Sequence, residues 1–313
     1  MSDRGPKLIE RAAAALRKPD SSSSNETSPA NPQTVNIAQA APSTIERAVD
    51  GGKVKPVSQR MHDDNLQQTP VNVSPTSLSA HAIMLPSAGS SRTVEEFRAI
   101  KREIIDNIAR ARKTLPDWKG RVVLVTSASP EEGKTFTAIN LALALAYEKD
   151  SKVLLMDADA YRQSAIGYLG ISSDTGWLDV VAEKSIAARE AIVRTNLPGF
   201  SVMPAGKQRP EIPELMSSKR MAELFEELAR DDPTRIVVID SVPCLHSTEP
   251  SILAGLAGQT VFVVAAQKTA QSEIEASLRL LNASPNVSLV LNRVHPQLTD
   301  QFKRYGYAYN SRR

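Results

Sequence analysis

The most constraining stretch of the chain runs from Val122 to Tyr147. A short apolar run, Val122-Val123-Leu124-Val125, is followed by Thr126 and Ser127. Then comes Ala128-Ser129-Pro130-Glu131-Glu132-Gly133-Lys134-Thr135, and then a helix-like pattern rich in Ala and Leu from Phe136 to Tyr147. A strand, a tight loop ending in Gly-Lys-Thr and a helix make the layout of a phosphate-binding P-loop. The unpaired N–H groups and positive pole of a helix N-terminus suit a polyphosphate. Gly133 permits close backbone approach. Lys134 is placed for β- and γ-phosphates, and the Thr135 hydroxyl for Mg²⁺. The loop departs from the common pattern at its first position, which holds Ala128 where glycine is usual. Ala128 to Phe136 are therefore the expected nucleotide-binding residues.

Two further apolar runs end in carboxylates. Lys152-Val153-Leu154-Leu155-Met156 leads into Asp157-Ala158-Asp159, and Arg235-Ile236-Val237-Val238-Ile239 leads into Asp240. Helical and strand patterns alternate from about Arg92 to Leu291, and the strands are continuously apolar. This predicts an α/β fold with a doubly wound, mostly parallel sheet covered on both faces. Its ligands belong at the carboxyl ends of the strands, where Asp157, Asp159 and Asp240 would meet the P-loop. Carboxylates there serve Mg²⁺, which takes oxygen ligands. They also serve a nucleophile that attacks the γ-phosphate and needs a proton acceptor. A plainer reading of Asp159 or Asp240 is an N-cap for the following helix.

The rest of the chain divides by composition. Residues 4–17 read as a short amphipathic helix, with Leu8, Ile9, Ala12 and Leu16 on one face. Alone it is too short to be stable in water, so 1–18 is expected to dock on something. Ser, Pro, Asn, Gln and Thr dominate 19–91, which reads as a disordered linker. The folded domain is expected over 92–300. It opens on a helix from Thr93, an expected N-cap, to Lys113. The last segment, 301–313, carries Tyr305, Tyr307 and Tyr309, half of the six tyrosines. Lys plus Arg is 38 against 35 acidic residues, a balance too mild to argue for nucleic acid. A single cysteine, Cys244, excludes an internal disulfide and fits a reducing compartment. No apolar run reaches membrane-spanning length and no signal-peptide core is present, which reads as a soluble cytoplasmic protein.

Together these motifs resemble the bacterial tyrosine kinases, P-loop kinases of capsule and exopolysaccharide systems related to the MinD and ParA ATPases. The family's loop opens on Ala or Gly, as at Ala128. Its second motif, Asp-x-Asp-x-Arg, matches at Asp157 and Asp159, with Tyr161 at the arginine position and Arg162 beside it. Asp240-Ser241-Val242-Pro243 keeps all but one proline of the Walker B ending. Pro204-Ala205-Gly206 and Pro213-Glu214-Leu215-Met216-Ser217-Ser218 also look like the family. The N-terminal helix, the long linker and Glu95-Glu96-Phe97-Arg98 further resemble the subgroup encoded with exosortase-type exopolysaccharide loci.

The resemblance implies a protein-tyrosine autokinase using ATP and Mg²⁺. Lys134 would hold the phosphates, and Thr135, Asp159 and Asp240 the metal. Asp157 would take the acceptor's proton, with Asp159 beside it in the catalytic set. Tyr305, Tyr307 and Tyr309 would be the acceptors. A Glu-x-x-Arg-x-x-Arg element that mediates ring-like self-association is matched at Glu95 and Arg98, with Lys101 and Arg102 at its end. A solvated helix face explains those residues equally well. The implied partners are a membrane chain-length-determinant (polysaccharide co-polymerase) protein that recruits the kinase to the inner membrane, and a tyrosine phosphatase. The competing reading is a MinD/ParA-type ATPase that switches dimerisation. It usually carries an extra lysine early in the loop, which Ala128-Ser129-Pro130 lacks. A third reading, an ATP-binding scaffold without chemistry, sits poorly with Lys134, Thr135 and three aspartates together.

Overall fold

The computed structural model describes residues 69–85 and 91–294. These fall in one of the two units into which the chain divides; the other, 17–67, lies outside them. The expected N-terminal helix and the tail tyrosines Tyr305, Tyr307 and Tyr309 also lie outside the described residues.

In chain order, α1 spans Pro75–Ala80, α2 Arg92–Ala111 and α3 Asp117–Gly120, followed by β1, Val122–Ser127. The P-loop leads into α4, Lys134–Ala146, and then β2, Lys152–Asp157. Two short helices follow, α5 over Ser164–Leu169 and α6 over Trp177–Ala182. Next come β3 (Val193–Arg194), β4 (Phe200–Met203), α7 (Ile212–Ser217) and α8 (Lys219–Asp231). The chain continues through β5 (Arg235–Asp240), α9 (Glu249–Leu256), β6 (Gln259–Ala265), α10 (Gln271–Leu280) and β7 (Val287–Asn292).

The strands form one sheet in the order β3-β4-β2-β5-β1-β6-β7, parallel throughout except for β3. The doubly wound, mostly parallel architecture expected from the sequence is therefore present. Its cause is visible in β1, where all six residues are buried. Val122 and Leu124 face one core layer with Trp177, Phe225 and Phe262. Val123 and Val125 face the other, with Ile139, Leu141 and Leu143 of α4. A strand buried on both faces needs apolar side chains at every position. The same logic explains α4, which is apolar all round: β1 lies under it and α2 covers it.

This order positions the site. The connection from β1 runs to β2 on one side, that from β5 crosses to β6 on the other, and a crevice opens at the carboxyl ends. Asp157 and Asp240 face each other directly across β2 and β5, and Asp240 lies beside Val125 of β1.

Two expectations change. The helix cap lies two residues earlier than expected, at Ser91, whose hydroxyl accepts the amide of Val94. Arg92 pairs with Glu96. More substantially, the part of the expected linker from 69 to 85 is packed. Val71 forms a parallel bridge with Thr195 next to the β3 edge. Val73, Leu78 and Ile83 are buried in the core layer of α4. The amide of Met84 donates to Asn140 Oδ1 on α4 at 3.0 Å. Polar composition hid these anchors because they are sparse. The local signal was Ser74-Pro75, a serine N-cap followed by proline at the first helical position.

Candidate active site

The P-loop fold begins with strain. Glu131 and Gly133 have φ of 63° and 93°, a region that glycine enters freely and glutamate does not. A Cβ on Gly133 would stand 2.0 Å from Asn292 Nδ2, so no larger residue fits there without displacing that side chain. The side-chain Nδ2 of Asn292, at the end of β7, donates to the Glu132 backbone carbonyl at 2.9 Å. The Glu132 carboxylate turns inward and is buried. Its Oε2 accepts the Ser129 amide at 2.9 Å, and its Oε1 accepts the hydroxyl of Thr269. Thr269 in turn accepts the Ala265 amide at 3.0 Å. The hydroxyl of Ser129 donates to Glu273 of α10 at 3.2 Å. The loop is thus braced from behind by the β6–α10 connection, leaving Lys134 and Thr135 at the start of α4.

Lys134 Nζ lies 3.6 Å from Asp159 Oδ2. Asp240 is fully buried, and no hydrogen bond of ordinary geometry reaches either of its oxygens. Burial pushes its pKa up to about 6, against the opposing charge of Lys134 and the nearby Thr135 hydroxyl. Asp157 is pushed to about 8, first by burial and then by the charge of Asp240. Its carboxylate is occupied locally. Oδ1 accepts the Asp159 amide at 3.2 Å, and Oδ2 accepts the amides of Ala165 and Ile166 at 3.0 and 3.2 Å. Asp157 therefore caps α5 from outside the helix, and these bonds favour its charged form. The buried indole of Trp177 donates to the Asp157 carbonyl at 3.0 Å and pins the end of β2.

Three carboxylates and one ammonium share this pocket, so the site carries an excess of negative charge. Its donor set fits a hard cation. The orphaned oxygens of Asp240 beside Thr135 are oxygen ligands without partners. Among the described residues no group of three or more His, Cys, Asp or Glu side chains could hold a metal ion by itself. A Mg²⁺ bound largely through phosphates and water needs only one or two carboxylates. Lys134, Thr135, Asp159 and Asp240 are thus brought together as expected.

An open cleft of about 440 Å³ lies over the loop. Besides the loop, Asn292 and Arg293 line it, and so do Arg162, Ser164, Tyr168 and His81. Arg162, rather than Tyr161 at the family's arginine position, lines this cleft. The Tyr161 side chain is 57% exposed. Away from the cleft, Glu95 and Arg98 pair with each other on α2, and Lys101 pairs with Glu148 at 2.5 Å. Arg102 is exposed on the same helix. Sequence reasoning missed Thr269, Asn292, Tyr168 and His81. None belongs to a local motif. Only the Asn292-Arg293 pair ending an apolar strand carries any signal, and a weak one.

The fold and this loop define a P-loop nucleotide-binding domain. A family model described as an AAA domain matches residues 121–289, more than half of the chain. The chain is 30% identical over 215 residues to the tyrosine-protein kinase YwqD of Bacillus subtilis, covering 68% of this chain and 85% of that protein. It is 31% identical over 193 residues to the putative tyrosine-protein kinase AmsA of Erwinia amylovora, covering 61% of this chain but only 26% of that relative. Among solved structures, the VpsO kinase domain aligns with a TM-score of 0.52 and 26% identity, over 66% of this chain and all of that one. The chain belongs to the bacterial tyrosine-protein kinases.

Proposed function

We propose that this chain is a Mg²⁺-ATP-dependent autokinase that transfers the γ-phosphate to Tyr305, Tyr307 and Tyr309 of a second copy. The observation that carries the reading is the cluster of Lys134, Thr135, Asp159 and the unpartnered Asp240 at one helix N-terminus. Lys134 neutralises charge on the β- and γ-phosphates. Thr135, Asp159 and Asp240 would hold Mg²⁺, which would stabilise the charge on the transferred group. Asp157, in its ionised form, takes the proton as the tyrosine oxygen bonds to the γ-phosphorus and the bond to the β-phosphate oxygen breaks. A phenol titrates near pH 10, so the carboxylate acts mainly in the transition state.

The biological setting we propose is that of capsule and exopolysaccharide systems. Phosphorylation of the tail regulates exopolysaccharide polymerisation or export, alongside a membrane chain-length-determinant protein and a tyrosine phosphatase. Among the described residues no helix is long and apolar enough to cross a membrane; the proposed partner would bring the kinase to the membrane. Self-association through Glu95, Arg98, Lys101 and Arg102 would bring one chain's tail to its neighbour's cleft. Each phosphate adds about −1.5 to −2 charges, which repels the modified tail from a site rich in carboxylates and loosens the assembly.

The test mixes a Lys134→Met chain with an intact tail and an active chain lacking 303–313. Phosphate on the inactive chain supports transfer between chains. Its absence there, with labelling of the intact wild type even at high dilution, means transfer within one chain.

A further inference from the structure

Residues 69–85 precede the region matched by the family model, yet they build part of the cleft. The turn after α1 closes with two bonds to one carbonyl: the amides of His81 and Ile83 both donate to Leu78, at 3.2 and 2.9 Å. Ala82 adopts φ of 54° to make it, a conformation alanine does not favour. The strained turn holds His81 over α5, where its ring stacks on Tyr168 with centroids 4.1 Å apart and planes 8° from parallel. His81 is exposed and Tyr168 half-buried. Both line the cleft with Lys134, Thr135 and Phe136. Phe, Tyr and Trp are only 4% of the chain, so this concentration of rings beside the P-loop is unusual for it.

The direction of the triphosphate decides what the rings meet. Lys134, which marks its β–γ end, turns toward Asp159. Asp157, beside Asp159, accepts the Ala165 and Ile166 amides of α5, the helix that carries Tyr168. We place the aromatic wall on this γ-phosphate side of the cleft. Asn292 and Arg293, which also line the cleft, are left for the nucleoside end.

We propose that His81 and Tyr168 form the wall on which the ring of an incoming acceptor tyrosine packs, with the tail 302–313 of a second copy as the occupant. This rests on the transfer reading given above. Aromatic rings pack favourably in offset or edge-to-face pairs, and the tail offers Tyr305, Tyr307 and Tyr309 at alternate positions. Its charge fits a loaded site: Lys303, Arg304, Arg312 and Arg313 would meet the charge of the triphosphate and of Glu131 on the cleft's rim. The segment before the kinase core thereby contributes a specificity residue.

The test measures initial rates for full-length wild type, His81→Ala, His81→Phe and Tyr168→Ala. Two acceptors are used, the Lys134→Met chain and a synthetic peptide of residues 302–313. A fluorescent ATP analogue reports nucleotide affinity in parallel. Losing the wall raises the acceptor KM about fivefold to tenfold in His81→Ala and Tyr168→Ala, with nucleotide affinity changed less than about twofold, and His81→Phe restores it. Reduced nucleotide affinity with an unchanged acceptor KM would make the rings a base-binding wall and overturn the proposal. So would an unchanged KM for both acceptors in His81→Ala, or a His81→Phe chain no better than His81→Ala. If wild type modifies neither acceptor, the tail reading itself has failed and the wall falls with it.

Discussion

The carboxylate of Glu132 is buried behind the phosphate-binding loop and accepts the hydroxyl of Thr269, which is 137 residues further along the chain. One oxygen of the same carboxylate also holds the Ser129 amide. A buried carboxylate with a missing partner is costly, so this pair fixes the loop. Thr269→Ala should weaken ATP binding by about 1.5–3 kcal/mol, the range for a hydrogen bond to a charged group. Thr269→Ser should recover most of it. Isothermal titration with ATP and Mg²⁺ checks both; equal affinity in the alanine variant would mean that the brace has no bearing on the loop.

Residues 69–85 are predicted to be part of the stable fold. Burying a Val, Leu or Ile side chain contributes about 1.5–3 kcal/mol, and Val73, Leu78 and Ile83 are each at least 96% buried. A chain starting at 91 should therefore melt well below the full-length protein, whereas one starting at 68 should match it. Differential scanning calorimetry distinguishes them. A shorter chain with an unchanged transition would return this segment to the linker.

The boundary shows where sequence reading succeeds and fails. Strands such as Val122–Ser127 and Arg235–Asp240 were legible because double-sided burial requires an unbroken apolar run. The Gly133-Lys134-Thr135 loop and the three aspartates were legible because their chemistry is local. The packed segment was not, because Val73, Leu78 and Ile83 are separated by Ser, Pro and Thr with no period of their own. Nor was the bracing of the loop. Nothing near Glu132 indicates that its side chain turns inward, and Asn292 reaches it from 160 positions away. His81 became a cleft residue only through the turn that stacks it on Tyr168.

The acidic cluster makes the stability of the nucleotide-free protein depend on pH. Asp157 and Asp240 are raised from 3.8 to about 8 and about 6. The folded state therefore holds protons that the unfolded state has released. Their contribution is fully present below pH 3.8 and is lost as pH rises through about 6 and about 8. Relative to Asp240→Asn, the wild type without metal should lose stability as pH rises from 3.8 to about 6 and stay level above that, and Mg²⁺ with ATP should restore it. Denaturant melts across that range test the sign. A wild type that gains on the variant as pH rises would contradict the buried, unpartnered state of Asp240.

Asp157→Asn and Asp240→Asn should also separate in function. Asp240→Asn should remove the Mg²⁺ dependence of nucleotide binding. Asp157→Asn should slow transfer by about 10²–10⁴-fold, the range for a general base, with smaller change in ATP affinity. Nucleotide titrations with and without Mg²⁺, beside single-turnover transfer, make the comparison. Equal loss of affinity in both variants would sink this division of roles.

The most direct measurement is phosphotyrosine on the purified chain after incubation with Mg²⁺ and ATP, mapped by mass spectrometry and repeated on Lys134→Met. The wild type should carry phosphate on Tyr305, Tyr307 and Tyr309. Loss of the Lys134 charge should lower the rate by about 10²–10³-fold with the fold intact by circular dichroism. A wild type that hydrolyses ATP without forming phosphotyrosine, or a Lys134→Met chain labelled as fast as wild type, would contradict the assignment of this cleft as a tyrosine-kinase active site.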